Sequence, residues 1–190
     1  MKFVTQEFTV TTEIKKSKFI AVFFPYKDFK KMMEKLKNEY PKARHHVYAY
    51  RYLNEFNQIV ENSSDDGEPR GTSGRPSLKV LEGQGIINSA VIIVRFFGGI
   101  KLGTGGLVRA YSDSVNNVLN ESTLHTYLQL ESKKLVIKYN QLSQIEYLIN
   151  KLNISVDEKI FESDISLHFK ATKEQLEQLN QELPLGLEIS

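Results

Sequence analysis

"SAVIIVRFFGGIKLGTGGLVRAYSDSVNNVLN", Ser89 to Asn120, joins an apolar run, a cluster of glycines and an amphipathic run without interruption. Its first nine residues are apolar and β-branched around one charge, Arg95. That pattern predicts a strand buried on both faces, and therefore a central one. Glycines at 98, 99, 103, 105 and 106 follow. From Leu107 the apolar residues Ala110, Tyr111, Val115, Val118 and Leu119 recur at helical spacing. The stretch thus reads as a strand, a glycine-rich turn and a helix opening near Gly105.

Such a junction exposes backbone N–H groups at the positive end of a helix, a natural anion site. Lys101 and Arg109 add charge there. The glycines Gly98, Gly99, Gly103, Gly105 and Gly106 serve equally well for positive φ or close packing. The loop is not a Walker A motif, since no lysine follows Gly103, and Gly-x-Gly-x-x-Gly is not met.

Upstream, "SSDDGEPRGTSGRP" (Ser63–Pro76) has no large apolar side chain. Asp65, Asp66 and Glu68 offer oxygen ligands for Mg²⁺, yet their spacing is not that of an EF-hand. Asp66-Gly67 and Glu68-Pro69 are turn dipeptides, and the carboxylates can accept backbone N–H bonds or pair with Arg70 or Arg75. A structural or docking role outweighs a metal, and neither metal nor cofactor is expected. Ser73, Ser77 and Thr104 are hydroxyl candidates for nucleophilic chemistry, but there is no Gly-x-Ser-x-Gly elbow and no evident base.

Further upstream, "QEFTVTT", "KFIAVFF", "HHVYAYRYL" and, more weakly, "FNQIVEN" read as strands. "DFKKMMEKLKNEYP" reads as a helix from Asp28, ended by Pro41, and "SLKVLEGQG" as a short helix closed by Gly83 or Gly85. His45 and His46 are neighbours in a strand and point to opposite faces, so both cannot easily hold one metal; one faces the loop and one the core.

Downstream, a boundary falls near residues 125–131. The remainder reads as β-α-β-β-α-β, the ferredoxin-like order, with Thr172 and Gln175 placed as a capping box and "LGLEIS" as a last strand. The fold class is α+β in two domains, residues 1–128 and 129–190. The first carries 18 Lys+Arg against 13 Asp+Glu, the second 7 against 10. A modestly basic first domain can meet RNA or an acidic partner. There is no cysteine, no visible signal peptide and no apolar run of membrane-spanning length, so a soluble cytoplasmic protein without a membrane partner is expected.

Four stretches carry a resemblance: "KSKFIA" (Lys16–Ala21), "ARHHVYAYR" (Ala43–Arg51), "DDGEPRGTSGRP" (Asp65–Pro76) and "RFFGGIKLGTGGLVRAYSD" (Arg95–Asp113). In family order and spacing, they resemble the Impact family in its YigZ-like bacterial form. Phe96, Val47 and Ser73 stand where tyrosine, cysteine and alanine are common in it. The resemblance implies an N-terminal β-α domain like the second domain of a small-subunit ribosomal protein. It also implies a C-terminal ferredoxin-like domain similar to one in elongation factor G. Its eukaryotic members are regulators of translation, acting on the activator of a starvation-sensing kinase. The expectation is therefore a non-catalytic binding or regulatory protein contacting RNA, ribosome or a translation factor. The alternative is an enzyme or binding protein for a phosphorylated small molecule, an anionic ligand held by "DDGEP" and "GGIKLGTGG". Candidate binding residues are His45, Asp65, Asp66, Glu68, Arg70, Arg75, Arg95, Gly98, Gly99, Lys101, Gly103, Gly105, Gly106 and Arg109. The two loops are expected side by side, with Arg95, Lys101 or Arg109 balancing the carboxylates.

Overall fold

The computed structural model describes all of residues 1–190, in two compact units, Met1–Tyr127 and Leu128–Ser190. The first contains β1 (Lys2–Phe3), β2 (Phe8–Ile14), β3 (Ser17–Pro25), α1 (Phe29–Glu39), β4 (His45–Leu53) and β5 (Ile59–Ser64). It continues with α2 (Gly74–Gly83), β6 (Ser89–Phe96), α3 (Gly103–Asn120) and β7 (His125–Thr126). Five strands form one antiparallel sheet in the order β2-β3-β6-β4-β5, and β1 pairs with β7.

β6 is the central strand because Ala90–Val94 are apolar on both faces. Val91 and Ile93 face α2 and α3, where Leu78, Leu81, Leu107, Ala110, Tyr111 and Val115 pack. Ala90, Ile92 and Val94 face the opposite way, onto Met32 and Leu36 of α1. β3 divides in the same way, with Phe19, Ala21 and Phe23 on one face and Ile20, Val22 and Phe24 on the other. Alternate residues of a strand point to opposite faces, so a continuous apolar run feeds two cores.

Two close approaches fix the loops around this sheet. The hairpin β2–β3 turns on Lys15 and Lys16, both at positive φ (47° and 65°), the backbone of a tight two-residue loop. Gly98 lies against that turn, where a Cβ would stand 2.0 Å from the carbonyl carbon of Lys16. Gly74 opens α2 against the end of β5, where a Cβ would lie 2.6 Å from the carbonyl carbon of Ser64. α2 begins three residues before the stretch that read as helical, and α3 begins at Gly103 rather than near Gly105.

The second unit contains β8 (Glu131–Ile137), α4 (Leu142–Lys151), β9 (Ser155–Phe161), β10 (Ile165–Ala171) and α5 (Lys173–Glu182). Its antiparallel sheet has the order β8-β10-β9, with α4 and α5 closing a core around Leu135, Ile145, Leu167, Phe169 and Leu179. The expected last strand is reduced to one bridge, Leu135 to Ile189, beside β8. Pro184 lacks an amide donor and Gly186 turns the chain at φ 88°, so only the final residues are left to pair. The position of that bridge is where a ferredoxin-like sheet carries its fourth strand. Thr172 and Gln175 form the expected capping box: the Gln175 amide donates to Thr172 Oγ1 (3.2 Å) and the Thr172 amide to Gln175 Oε1 (2.8 Å).

Candidate functional site

At the end of the sheet where β4 begins and β6 finishes, the acidic loop and the glycine-rich loop border one cleft of about 460 Å³. His45 enters it from the first residue of β4 and Arg44 from the residue before it, Glu68 and Pro69 from the acidic loop, and Arg95 from β6. Phe97, Lys101 and Leu102 come from the glycine-rich loop, and Gly103, Thr104 and Leu107 from α3.

The three carboxylates of the acidic loop diverge. Asp65 turns into the start of α2. Its Oδ1 accepts from the Ser73 amide (3.1 Å), the Ser73 hydroxyl (2.7 Å) and the Gly74 amide (2.8 Å), and its Oδ2 from the Gly71 amide (2.7 Å). It thereby satisfies N–H groups that the helix itself leaves unpaired, from outside the helix. Burial opposes its ionisation, but the bonds from Gly71, the Ser73 hydroxyl, Gly74 and the Ser73 amide outweigh it and hold the carboxyl below the usual range. Asp66 turns to β4, where its Oδ2 accepts from the His46 amide (2.5 Å).

Glu68 alone enters the cleft, 8% exposed. Its Oε1 accepts from Arg95 Nη1 (2.5 Å) and from the Tyr111 hydroxyl (2.8 Å). His45 Nε2 stands 3.9 Å from the same oxygen, and its Nδ1 is 2.8 Å from the Asp66 carbonyl oxygen, to which it donates. Burial, then the Glu68 charge, pushes the Tyr111 phenol far above the ordinary tyrosine range, so it stays protonated and donates. Arg95 is 6% exposed, sits against the Phe19 and Phe97 rings (5.4 and 5.8 Å to the centroids), and leaves its Nε buried without a partner. A buried ion pair needs this kind of support, because desolvation cancels much of the attraction.

The cleft therefore holds one carboxylate, already engaged, against the cations Arg44, Arg95 and Lys101. α3 adds its first turn: Gly103 and Thr104 line the cleft, no side chain caps the helix, and no acidic residue lies in that turn. The geometry suits an anion rather than a cation.

Of the residues singled out in sequence, His45, Glu68, Arg95, Lys101 and Gly103 line this cleft. Asp65 and Asp66 do not line it: Asp65 ties the acidic loop to the start of α2, and Asp66 ties it to β4. Gly98 packs on the β2–β3 hairpin, and Gly99 holds φ 85°. Gly105 and Gly106 lie in the first turn of α3 without lining the cleft. Of Arg95, Lys101 and Arg109, the alternatives expected to balance the carboxylates, Arg95 pairs with Glu68; Arg109 lies outside the cleft on the exposed side of α3, because Leu107, Ala110 and Tyr111 take the inward side. Arg70 and Arg75 are exposed and do not pair with the carboxylates, Arg75 bordering a separate groove with Lys79 and Val108. Ser73 and Ser77 are fully buried, with their hydroxyls donated to Asp65 and to the Ser73 carbonyl. Arg44 and Tyr111 were missed. Arg44 lay one residue before a strand read for its histidines, and Tyr111 counted only as core.

Comparison with known proteins bears on the same elements. The model of the Impact N-terminal domain matches residues 15–119, from the hairpin turn to the last turn of α3. The chain is 40% identical over 159 residues to the IMPACT family member YigZ of Escherichia coli, covering 82% of this chain and 76% of that protein. It is 34% identical over 174 residues to an IMPACT family member of Haemophilus influenzae, covering 90% and 84%. A crystal structure of a hypothetical protein, 31% identical, superposes with a TM-score of 0.64 over 99% of this chain and 95% of that one. No helix is long and apolar enough to cross a membrane. With an Impact-domain match spanning most of the first unit, and a relative this similar over both units, the chain belongs to the Impact family.

Proposed function

We propose that this chain is a binding protein whose first unit grips phosphate groups of RNA in the cleft between the acidic and glycine-rich loops. The observation that carries this reading is the charge of the lining: Arg44, Arg95 and Lys101 against Glu68 alone, whose Oε1 is held by Arg95 and Tyr111. The uncapped first turn of α3 and the basic excess of residues 1–128 support it. A binding role fits the way polar groups are used, since the Ser73 and Ser77 hydroxyls serve internal contacts. Contact with RNA, a ribosome or a translation factor would accord with the translational role that the family resemblance implies.

Anisotropy titrations of a labelled single-stranded RNA across a salt series test this. Affinity is expected to fall steeply with salt, by about 0.7 log unit per decade for each phosphate contact. Arg44→Glu with Lys101→Glu should weaken binding and flatten that slope, while Arg109→Glu, outside the cleft, should do less. Salt-insensitive binding, or equal affinity in the cleft variant, refutes the reading. A phosphorylated small molecule is the second reading, favoured by a volume within the range of small-ligand pockets. Thermal shift with sugar phosphates and nucleotides separates the two.

A further inference from the structure

The opposite end of the five-stranded sheet carries a second cavity, of about 360 Å³. Its walls are Phe3, Tyr26, Tyr52 and Tyr127, with Lys27 and Asn88 as the polar side chains that matter here. Asn88 immediately precedes β6 and Arg95 lies near that strand's other end, so seven residues at about 3.3 Å each separate this cavity from the cleft by about 23 Å.

The walls follow from the fold. Tyr26 directly follows β3 and Tyr52 lies near the end of β4, which brings their rings face to face at 4.0 Å and 5°. Phe3 of β1 meets Tyr127 edge-on at 6.3 Å, held by the β1–β7 pairing and by the Tyr127 amide donating to the Met1 carbonyl. Asn88 sits at φ 50°, and its Oδ1 accepts from the Leu53 amide at 3.0 Å. That bond assigns the amide orientation and leaves Nδ2 as a free donor beside the rings. Burial, then the neighbouring Tyr52 phenol, raises Tyr26 to about 12, so this wall of the cavity carries no charge. No carboxylate lines the cavity, and the Lys27 ammonium is exposed at it.

Aromatic walls with an ammonium and without a carboxylate disfavour a cationic guest and favour a flat, π-rich group carrying an anionic tail. We propose that this cavity is a nucleobase site, stacking one base against its tyrosines with the attached phosphate at Lys27, whether the base belongs to a free nucleotide or to a single-stranded RNA. The site is independent of the cleft, since a mononucleotide alone can fill it.

The chain has no tryptophan, so a fluorescent base analogue can be read without interference. 2-Aminopurine riboside 5′-monophosphate is titrated with the intact protein, and its emission should fall saturably as the base stacks. AMP and UMP should compete; ribose 5-phosphate, inorganic phosphate and choline should not. Tyr127→Ala should weaken binding roughly 5- to 150-fold, the worth of one base–aromatic stack. Lys27→Glu should weaken the nucleotide but not the parent nucleoside. The same analogue inside an RNA octamer identifies the source: tighter binding in the octamer supports RNA, tighter binding of the mononucleotide supports a free nucleotide. The proposal is overturned if emission does not change, if ribose 5-phosphate or choline competes as well as AMP, or if Tyr127→Ala keeps full affinity. Thermal melts of both variants confirm that they are folded, and Lys27, being exposed, keeps the test intact should Tyr127→Ala unfold.

Discussion

Replacing Asp65 by alanine should destabilise the first unit without removing any group that lines the cleft. The carboxylate accepts four hydrogen bonds, from the Gly71 amide, the Ser73 amide and hydroxyl, and the Gly74 amide. The costs are unequal. Gly71 is exposed, so water can replace its bond, and a hydroxyl can rotate to another acceptor. The Ser73 and Gly74 amides belong to buried residues, where an orphaned donor costs about 1–3 kcal/mol. Two such donors, moderated by loop relaxation toward the figure of about 0.5–2 kcal/mol for an ordinary lost helix cap, give about 2–4 kcal/mol. At about 2–4 °C per kcal/mol, Tm should fall by roughly 4–16 °C. Asp66→Ala is the comparison: it loses a single bond, accepted from the amide of buried His46, and leaves alanine at φ 43°, so it should cost about 1–3 kcal/mol. The pH dependence follows in sign. Asp65 has a depressed carboxyl pKa in the fold, so its contribution is fully present above the unfolded value of about 3.9 and is lost as pH falls through the folded value. Thermal melts by circular dichroism at neutral and acidic pH should show the gap between wild type and Asp65→Ala narrowing in acid. Equal melting temperatures at neutral pH, or a gap that ignores pH, would refute the role given to Asp65.

Substitutions at four further positions test other joints. Gly98→Ala places a methyl 2.0 Å from the Lys16 carbonyl carbon and should cost about 1–3 kcal/mol or more in urea unfolding, whereas Gly105→Ala, with nothing within 4 Å, should be neutral or stabilise α3 by up to about 1 kcal/mol. Glu68→Ala leaves the buried Arg95 guanidinium without its counter-ion and should cost about 3–5 kcal/mol, while Glu68→Gln, keeping an acceptor for Tyr111, should cost less by the same assay. Thr172→Ala removes the capping box of α5 and should lower stability of the second unit by about 1 kcal/mol, read as faster amide exchange there with the first unit unchanged.

What was legible in the sequence is what local pattern encodes. Val91–Val94 read as a central strand because a strand apolar on both faces has to be covered on both, and β6 is third of five. Thr172 and Gln175 read as a cap because that motif closes within four residues. Asp65 did not, because its reach to Gly71, Ser73 and Gly74 spans six to nine residues across a turn, where propensity sees only Asp-Gly and Glu-Pro. Among Arg95, Lys101 and Arg109, helical phase could have set Arg109 aside: if Leu107, Ala110 and Tyr111 face inward, residue 109 turns outward. The same phase points Tyr111 toward the sheet, where its ring meets Phe19 edge-on at 5.3 Å and its hydroxyl finds Glu68.

That pairing gives the two signature loops a physical reason to occur together. Glu68 would be costly to bury alone, and Arg95 equally so. The acidic loop supplies the carboxylate, the strand before the glycine turn supplies the guanidinium, and the helix after it supplies the phenol. Asp65 and Gly74 anchor one loop to α2 and β5, and Gly98 anchors the other to the β2–β3 hairpin. With Glu68 neutralised in this way, the charges that remain at the cleft are Arg44 and Lys101, both exposed and both positive. On the proposed reading the ligand met by those two side chains is an anion, and the internal ion pair keeps Glu68 from repelling it.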